Sequence, residues 1–370
     1  MNPKVLIVTA SIGSGHTRAA EAIRTELLAL GITQTTVVDF LDNQDRLSQL
    51  IKEAYFRMLA AIPHAYELIY QWSQEQRVGA NFVDLTALLM KRKMQELLAD
   101  YRPNLVIFTH PFPCCAAAYL RRTRQTDCPL VAVLTDFAVH RLWVHRELDA
   151  YFVANEEMKT ALVSLGIAEA NITVSGIPID RRFSGRLADP GAGKASLLVM
   201  GGGTGYGPLE KVMAGLEEID RELEINVVAG NNDGLRQQLQ EASRHSRHRI
   251  NILGFSRRID ELMANATLLI TKPGALSCSE ALAIGLPLLL IKPIPGQEEE
   301  NAAYLVRQGT AVRIDDLRQL GRTVDELLEK PEKLAALHKN ALAAGRRSAA
   351  ADIAHILIKR FLAGRYTLAG

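Results

Sequence analysis

Short apolar runs along the chain each end in a polar or glycine-bearing turn and give way to apolar positions at helical spacing. Val5–Val8 reads as a buried parallel strand, ending in Ser11-Ile-Gly-Ser-Gly-His16. From Thr17 to Leu30 the apolar residues Ala19, Ala22, Ile23, Leu27 and Leu30 keep helical spacing, and Gly31 closes the helix. Thr36–Phe40 is the next strand. Between Arg46 and Tyr101 only helical patterns appear. Leu47, Leu50, Ile51, Ala54, Tyr55, Met58, Leu59 and Ile62 recur at three and four until Pro63 breaks the run, and a further helix ends near Asp100. The strand rhythm returns at Leu105–Thr109, Leu130–Thr135 and Tyr151–Ala154. Gly176–Asp180 and Ala188–Ala195 read as a linker.

A second alternation follows, with strands near Ser196–Met200, Ile225–Ala229, Ile250–Leu253, Leu268–Thr271, Leu288–Ile291 and Ala311–Ile314, separated by helical runs. Two successive strand–helix series predict an α/β protein of two doubly wound, Rossmann-like domains, with ligands at the carboxyl ends of the strands and in a cleft between domains. The expected division is 1–178, an acceptor- and membrane-facing domain, and 179–348, a nucleotide-sugar domain. The helix in 349–370, read as Ala349–Ala363, is expected to cross back to the first domain.

The densest chemistry lies in Thr271-Lys-Pro-Gly-Ala-Leu-Ser-Cys-Ser-Glu280, which runs on to Gly285 and Pro287. Strand, small-residue turn, helix and strand form a βαβ unit in which a helix begins near Ser277. Its unpaired N–H groups and positive dipole end suit a phosphate approached through Pro273, Gly274 and Ala275. Glu280 lies too far into the helix to be a phosphate ligand, but it can accept from ribose hydroxyls. Gln297–Asn301, after the next strand, offers polar groups of the kind a sugar needs. Gly201-Gly-Gly-Thr-Gly-Tyr-Gly207, including Gly202, Gly203 and Thr204, brings bare backbone amides near a diphosphate, or simply makes a tight turn. Gly191-Ala-Gly-Lys-Ala195 lacks the first glycine and the Ser/Thr of an ATP-binding phosphate loop.

In the first half, His16 stands in the first turn of a helix at the mouth of the sheet, beside Gly15. There the dipole disfavours protonation and leaves a neutral imidazole able to take a proton, although a lone histidine is also commonly structural. His110 and Asp136 follow two other strands and can face the same place, where Asp136 could orient His16.

Composition narrows the class. Lys and Arg total 43 against 41 Asp and Glu, so no basic field invites nucleic acid. Cys114, Cys115, Cys128 and Cys278 have neither zinc spacing nor a disulfide pattern, which fits a reducing, cytoplasmic setting. No apolar run approaches the ~18 residues of a spanning helix, so any membrane contact is expected to be peripheral. The helical stretch from Arg46 to Tyr101, with Lys91-Arg-Lys93, is either an ordinary amphipathic core or a surface that lies on anionic lipid.

With these residues in view the chain resembles the diacylglycerol glycosyltransferases, both the bacterial processive glucosyltransferases and the plant monogalactosyldiacylglycerol synthases. It is similar, more distantly, to the lipid-linked N-acetylglucosaminyltransferase of peptidoglycan synthesis. The resemblance spans nearly the whole chain. It rests on Ala10–His16, Thr135-Asp-Phe-Ala-Val-His-Arg-Leu-Trp143, Gly176-Ile-Pro-Ile, Leu253-Gly-Phe255, Thr271–Gly274, Ser279-Glu-Ala-Leu-Ala and Pro295-Gly-Gln-Glu. It implies the GT-B fold, inversion at the anomeric carbon, and neither a metal nor any other cofactor, with a UDP-sugar as donor substrate. It assigns His16 as the base for a diacylglycerol hydroxyl, with Asp136 its expected helper. The UDP-sugar falls to Glu280 at the ribose, Gln297 and Glu298 at the sugar, and the backbone of Gly254 and Phe255 at the uracil, with Gly15 and Asn231 included in the donor site. It implies a peripheral enzyme on the inner face of the cell membrane. A UDP-sugar 2-epimerase and a GlcNAc transferase to a polyprenyl-linked acceptor are the rival readings.

Overall fold

The structure is a computed structural model that describes residues 2–11, 13–42, 76–185, 187–188, 195–202, 208–291, 293 and 296–363, with backbone only for 76–83. It divides into two compact units, Met1–Asp180 with Ser348–Gly370, and Arg181–Arg347.

The first unit holds a parallel sheet of β1 (Lys4–Thr9), β2 (Gln34–Asp39), β3 (Leu105–Phe108), β4 (Leu130–Val133), β5 (Ala150–Val153) and β6 (Ile172–Val174) in the order β2-β1-β3-β4-β5-β6. Successive side chains leave opposite faces of a strand, so each strand feeds two cores. Leu6, Val8, Val106, Phe108 and Tyr151 pack on one side. Val5, Ile7, Leu105, Ile107 and Val131 pack on the other. The strand β6 escapes the sequence reading because three residues are too few to show a period.

The helices of this unit are α1 (Gly15–Ala29), α2 (Gln76–Tyr101), α3 (Pro111–Arg122), α4 (Glu156–Ser164) and α12 (Ala349–Leu357). From α12, Ile353, Ala354 and Leu357 join Ile23 and Leu27 of α1 in one core, so the end of the chain completes the first unit. The α-helix stops at Leu357, and Ile358–Leu362 continues as a π-helical turn where the sequence suggests one uninterrupted helix to Ala363. The helical expectations over 46–75 fall outside the described residues. The 176–180 stretch, read as a linker, is not a solvated tether: Ile177 and Ile179 are buried, as a run of alternating apolar side chains requires.

The second unit holds β7 (Ser196–Met200), β8 (Glu224–Val228), β9 (Arg249–Leu253), β10 (Leu268–Thr271), β11 (Leu288–Ile291) and β12 (Ala311–Ile314), again parallel, in the order β12-β11-β10-β7-β8-β9. Its helices are α5 (Leu209–Leu216), α6 (Asp233–Ala242), α7 (Ile259–Ala264), α8 (Ala275–Ile284), α9 (Gln297–Arg307), α10 (Leu320–Glu329) and α11 (Pro331–Ala344). The helix α8 is buried all round except at Ser277, which is why its sequence carries no polar stripe. It begins at Ala275, directly behind Gly274, two residues earlier than the sequence suggests. Gly285 ends it at φ 77°, in the left-handed region. A Cβ there would lie 2.7 Å from Leu342 Cδ2 and 2.8 Å from His338 Cε1, so only glycine fits.

In each sheet the strand order reverses once, between β1 and β3 and between β7 and β10. Loops leaving two adjacent strands in opposite directions open a crevice at such a point, where ligands bind in doubly wound sheets.

Candidate active site

At the first reversal, the loop after β1 is tied down by Asp39, whose Oδ1 accepts from the amides of Ser11 and Leu41, each at 3.0 Å. Gly13 adopts φ +84° and turns the chain into α1. Ser14 does not cap this helix with its side chain, and Gly15 and His16 form its first turn. The His16 ring reaches across to the end of β3, with Nδ1 2.9 Å from the Thr109 carbonyl oxygen and 2.6 Å from Thr135 Oγ1 at the end of β4. A carbonyl oxygen can only accept, so Nδ1 carries the proton and Nε2 is left with its lone pair.

The His110 ring packs edge-on against His16, with centroids 4.6 Å apart. His110 Nδ1 accepts from the Phe112 amide at 3.2 Å and caps α3. Burial holds His16 down to about 4, opposed only in part by the Thr109 carbonyl. His110 falls well below its usual range, first through burial and then through the neighbouring His16. Both rings are therefore neutral at physiological pH. Asp136 is buried one residue beyond Thr135. The sequence reading missed Thr109 and Thr135 because a backbone carbonyl and a threonine carry no motif. The signal lay in their position, Thr109 just after β3 beside the reversal and Thr135 just after the neighbouring β4.

At the second reversal stand the turn after β7, the turn Lys272-Pro-Gly274 after β10, and the start of α8. Gly274 precedes the helix without any side-chain cap, leaving the first amides of α8 to other acceptors. Gly202 sits at φ +81°, where a Cβ would lie 3.1 Å from Lys272 Cε. Gly203 and Thr204 lie outside the described residues, as do Pro295 and most of the 191–195 loop. Glu280 is buried at 1% exposure inside α8.

Gln297–Asn301, the polar groups read after β11, form the first turns of α9. Asn301 Nδ2 donates to the Pro273 carbonyl at 3.3 Å, fastening α9 to the turn. Among Glu298–Glu300, Glu298 pairs with Lys272 at 2.8 Å, while Glu299 faces away to Arg313 on β12 at 2.6 Å. Glu298 is thus the carboxylate at the turn.

Asn231 is exposed in the turn after β8, and its neighbour Asn232 caps α6. Phe255, after β9, is 64% exposed, unusual for an aromatic residue. Gly254 beside it lies near the Arg236 side chain and the Gly230 carbonyl. Of the four cysteines, Cys114, Cys115 and Cys278 are buried thiols, and Cys115 Sγ donates to the Leu142 carbonyl at 3.3 Å. Their burial is structural and accounts for them.

Residues 16–179 match the family described as monogalactosyldiacylglycerol (MGDG) synthase, and residues 196–355 the glycosyltransferase family 28 C-terminal domain. The processive diacylglycerol beta-glucosyltransferase of Bacillus cytotoxicus is 31% identical over 368 residues, covering 97% of this chain and 94% of its own length. Among solved structures, MurG of Acinetobacter baumannii matches with a TM-score of 0.67 at 16% identity, over 96% of this chain and 100% of its own. A UDP-GlcNAc 2-epimerase from Neisseria meningitidis, bound to UDP-GlcNAc, matches with 0.59 at 14%, over 96% and 100%. At such identities these two speak for the GT-B fold, not for the reaction.

Proposed function

The chain belongs to the family of the processive diacylglycerol β-glucosyltransferases, and from that premise we propose that it transfers glucose from UDP-glucose to diacylglycerol. The observation that carries the mechanism is the hydrogen bond from His16 Nδ1 to the Thr109 carbonyl. It fixes the tautomer that leaves Nε2 free to take the acceptor's hydroxyl proton. As that proton moves to Nε2, the acceptor oxygen forms its bond to the anomeric carbon. The bond from that carbon to the β-phosphate oxygen breaks, and UDP leaves with the electron pair. Attack from the opposite face gives a β-glycoside. Asp136, buried one residue beyond Thr135, is assigned as the helper of this base.

The donor reading gains support from the order of elements across the second sheet. The α9 start with Gln297 and Glu298 follows β11, the α8 start with Gly274 and Ala275 follows β10, and Gly202 follows β7. Asn231, Gly254 and Phe255 follow β8 and β9. Strands lie ~4.8 Å apart, so these positions span roughly 15–20 Å from sugar to base. That is the order in which a UDP-sugar carries sugar, diphosphate and nucleoside. Glu280 serves the ribose, and the amides opening α8 stabilise the departing diphosphate.

No helix among the described residues is long and apolar enough to cross a membrane. Diacylglycerol stays in a bilayer, so the enzyme must work at its surface, which we place on the cytoplasmic face. The outward side of α2 carries Leu85 at 56%, Leu88 at 46% and Leu89 at 56% exposure, spaced to share one face, while Thr86, Ala87, Met90 and Met94 bury the other beside α3. The three basic residues Lys91–Lys93 do not form a patch. Consecutive helix positions diverge by ~100°, and Lys93 turns inward to Asp42 at 3.3 Å while Lys91 lies over the Tyr119 ring. The leucines are the better membrane contact.

The test is incubation with UDP-glucose and diacylglycerol vesicles, with products identified by mass spectrometry and anomeric NMR. A β-glucosyldiacylglycerol is expected. Isomerisation of a UDP-sugar without acceptor would replace this reading with the epimerase.

A further inference from the structure

Lys272 has no role in any reading above, yet it occupies the reversal point of the second sheet. It is the first residue after β10, its stem runs past Gly202, and its Nζ meets Glu298 Oε1 at 2.8 Å with both side chains largely covered. Two turns of the chain thus converge on one ammonium, the turn before α8 and the start of α9. Burial raises the Cys278 thiol, the carboxylates of Glu298 and Glu280 raise it further, and Lys272 works the other way. Glu298, Glu280 and Lys272 all act on this one thiol inside α8, so the three charges share its surroundings. A diphosphate brought to this place adds two more negative charges. The helix end alone supplies about half a positive charge against them.

We propose that Lys272 is the exchangeable counter-charge of the donor site, a positioning residue that holds Glu298 when the site is empty and turns to the diphosphate when the donor binds. The proposal rests on the reading of this unit as the UDP-sugar site. In the free protein the pair keeps Glu298 aimed at the turn. When the donor arrives, the ammonium moves to the β-phosphate and Glu298 is released to accept a hydroxyl of the sugar. Sugar recognition is thereby made conditional on the diphosphate being in place. The same ammonium offsets the negative charge that grows on the β-phosphate as the glycosyl bond breaks. At Gly202, φ +81° disfavours any side chain, and a Cβ there would press on the lysine stem at 3.1 Å.

Titration calorimetry with uridine, UDP and UDP-glucose tests the exchange. Lys272→Met is expected to weaken UDP by roughly ten- to a hundredfold, the range for losing a charged partner, and to leave uridine unchanged. Lys272→Arg should restore most of that loss. Glu298→Gln should leave UDP as tight as before or a few-fold tighter, because the ammonium is no longer held back, while the extra affinity contributed by glucose disappears. The double variant should bind UDP better than Lys272→Met alone. If Lys272→Met weakened uridine as much as UDP, or changed neither, the pair would be structural and the proposal wrong. If Glu298→Gln weakened UDP, the exchange would be wrong even with Lys272 essential. Wild-type protein that bound neither UDP nor UDP-glucose would instead overturn the donor reading itself.

Discussion

The two units share one architecture and place their chemistry at the same topological point, but the chemistry is opposite in kind. At the first reversal stand His16 and His110, neutral, in contact, and held by a carbonyl, a hydroxyl and a backbone amide. At the second stand an uncapped helix start, Lys272, Glu298 and the buried Glu280. On the proposed function, the difference follows from what each half has to do. A base that activates a hydroxyl has to be uncharged before the reaction, and burial accomplishes that for an imidazole. A site for a dianion needs positive ends and donors already in place, which a helix terminus supplies without a mobile ion. Sheet topology chooses the place, and the residues at the strand ends choose the reaction.

If this division is right, lesions in the two halves should be separable. His16→Ala removes the base and should lower turnover by about two to four orders of magnitude, while calorimetric UDP affinity stays near wild type. A parallel loss of UDP binding would mean the halves are not separate. Glu280→Ala should do the reverse, weakening UDP and UDP-glucose alike by roughly 1.5–3 kcal/mol if a charged acceptor serves the ribose. Gln297→Ala should weaken UDP-glucose and spare UDP. Equal losses for the two ligands would remove Gln297 from the sugar position.

The contrast also predicts different responses to acid. In the first unit His16, His140 and His145 are each lowered from 6.5 to about 4, chiefly by burial, and burial also holds His110 well below its usual range. The unfolded chain takes up these protons near pH 6.5 and the folded chain only near 4 or below. Between those values the unfolded state binds more protons, so stability is complete above about pH 6.5 and drains as pH falls. Denaturation monitored from pH 8 to 4 should lose its earliest transition through the first unit. Turnover should stay flat from pH 8 to about 5, because Nε2 is already unprotonated. A turnover midpoint near 6.5 would show that His16 is more open to solvent than its contacts imply.

Much of this was legible in the sequence, and the parts that were not share a cause. Eleven strands showed as apolar runs because parallel strands are buried on both faces. The strand β6 was too short to register. His16, Glu280 and the Gly274 turn could be read because a glycine-bearing turn between strand and helix is a local pattern. Thr109 and Thr135 could not, since their effect on His16 depends on a ring crossing from α1 to the ends of β3 and β4. The same limit hid the partners of Glu298 and Glu299. Which of them faces the turn is decided by Lys272 and Arg313, distant in sequence. The Lys91–Lys93 run shows the converse, because adjacency in sequence is divergence on a helix.

The finest division within the first site concerns what holds His16, and the expected effect is the smallest. Its Nδ1 proton has two acceptors, the Thr109 carbonyl and Thr135 Oγ1, and the Thr135 hydroxyl itself donates to that carbonyl at 3.4 Å. Thr135→Val keeps the shape and removes the hydroxyl, while the carbonyl remains. The tautomer should therefore survive, and the ring should lose only part of its restraint. A neutral hydrogen bond contributes about 0.5–1.5 kcal/mol net, so turnover should fall roughly three- to tenfold. UDP affinity should not move, and Thr135→Ser should recover most of the loss. Comparison of kcat for the two variants checks this. Equal activity for valine, serine and wild type would assign the orientation of His16 to the Thr109 carbonyl alone. A loss as large as that of His16→Ala would mean that the hydroxyl relays the proton, a role the carbonyl cannot take.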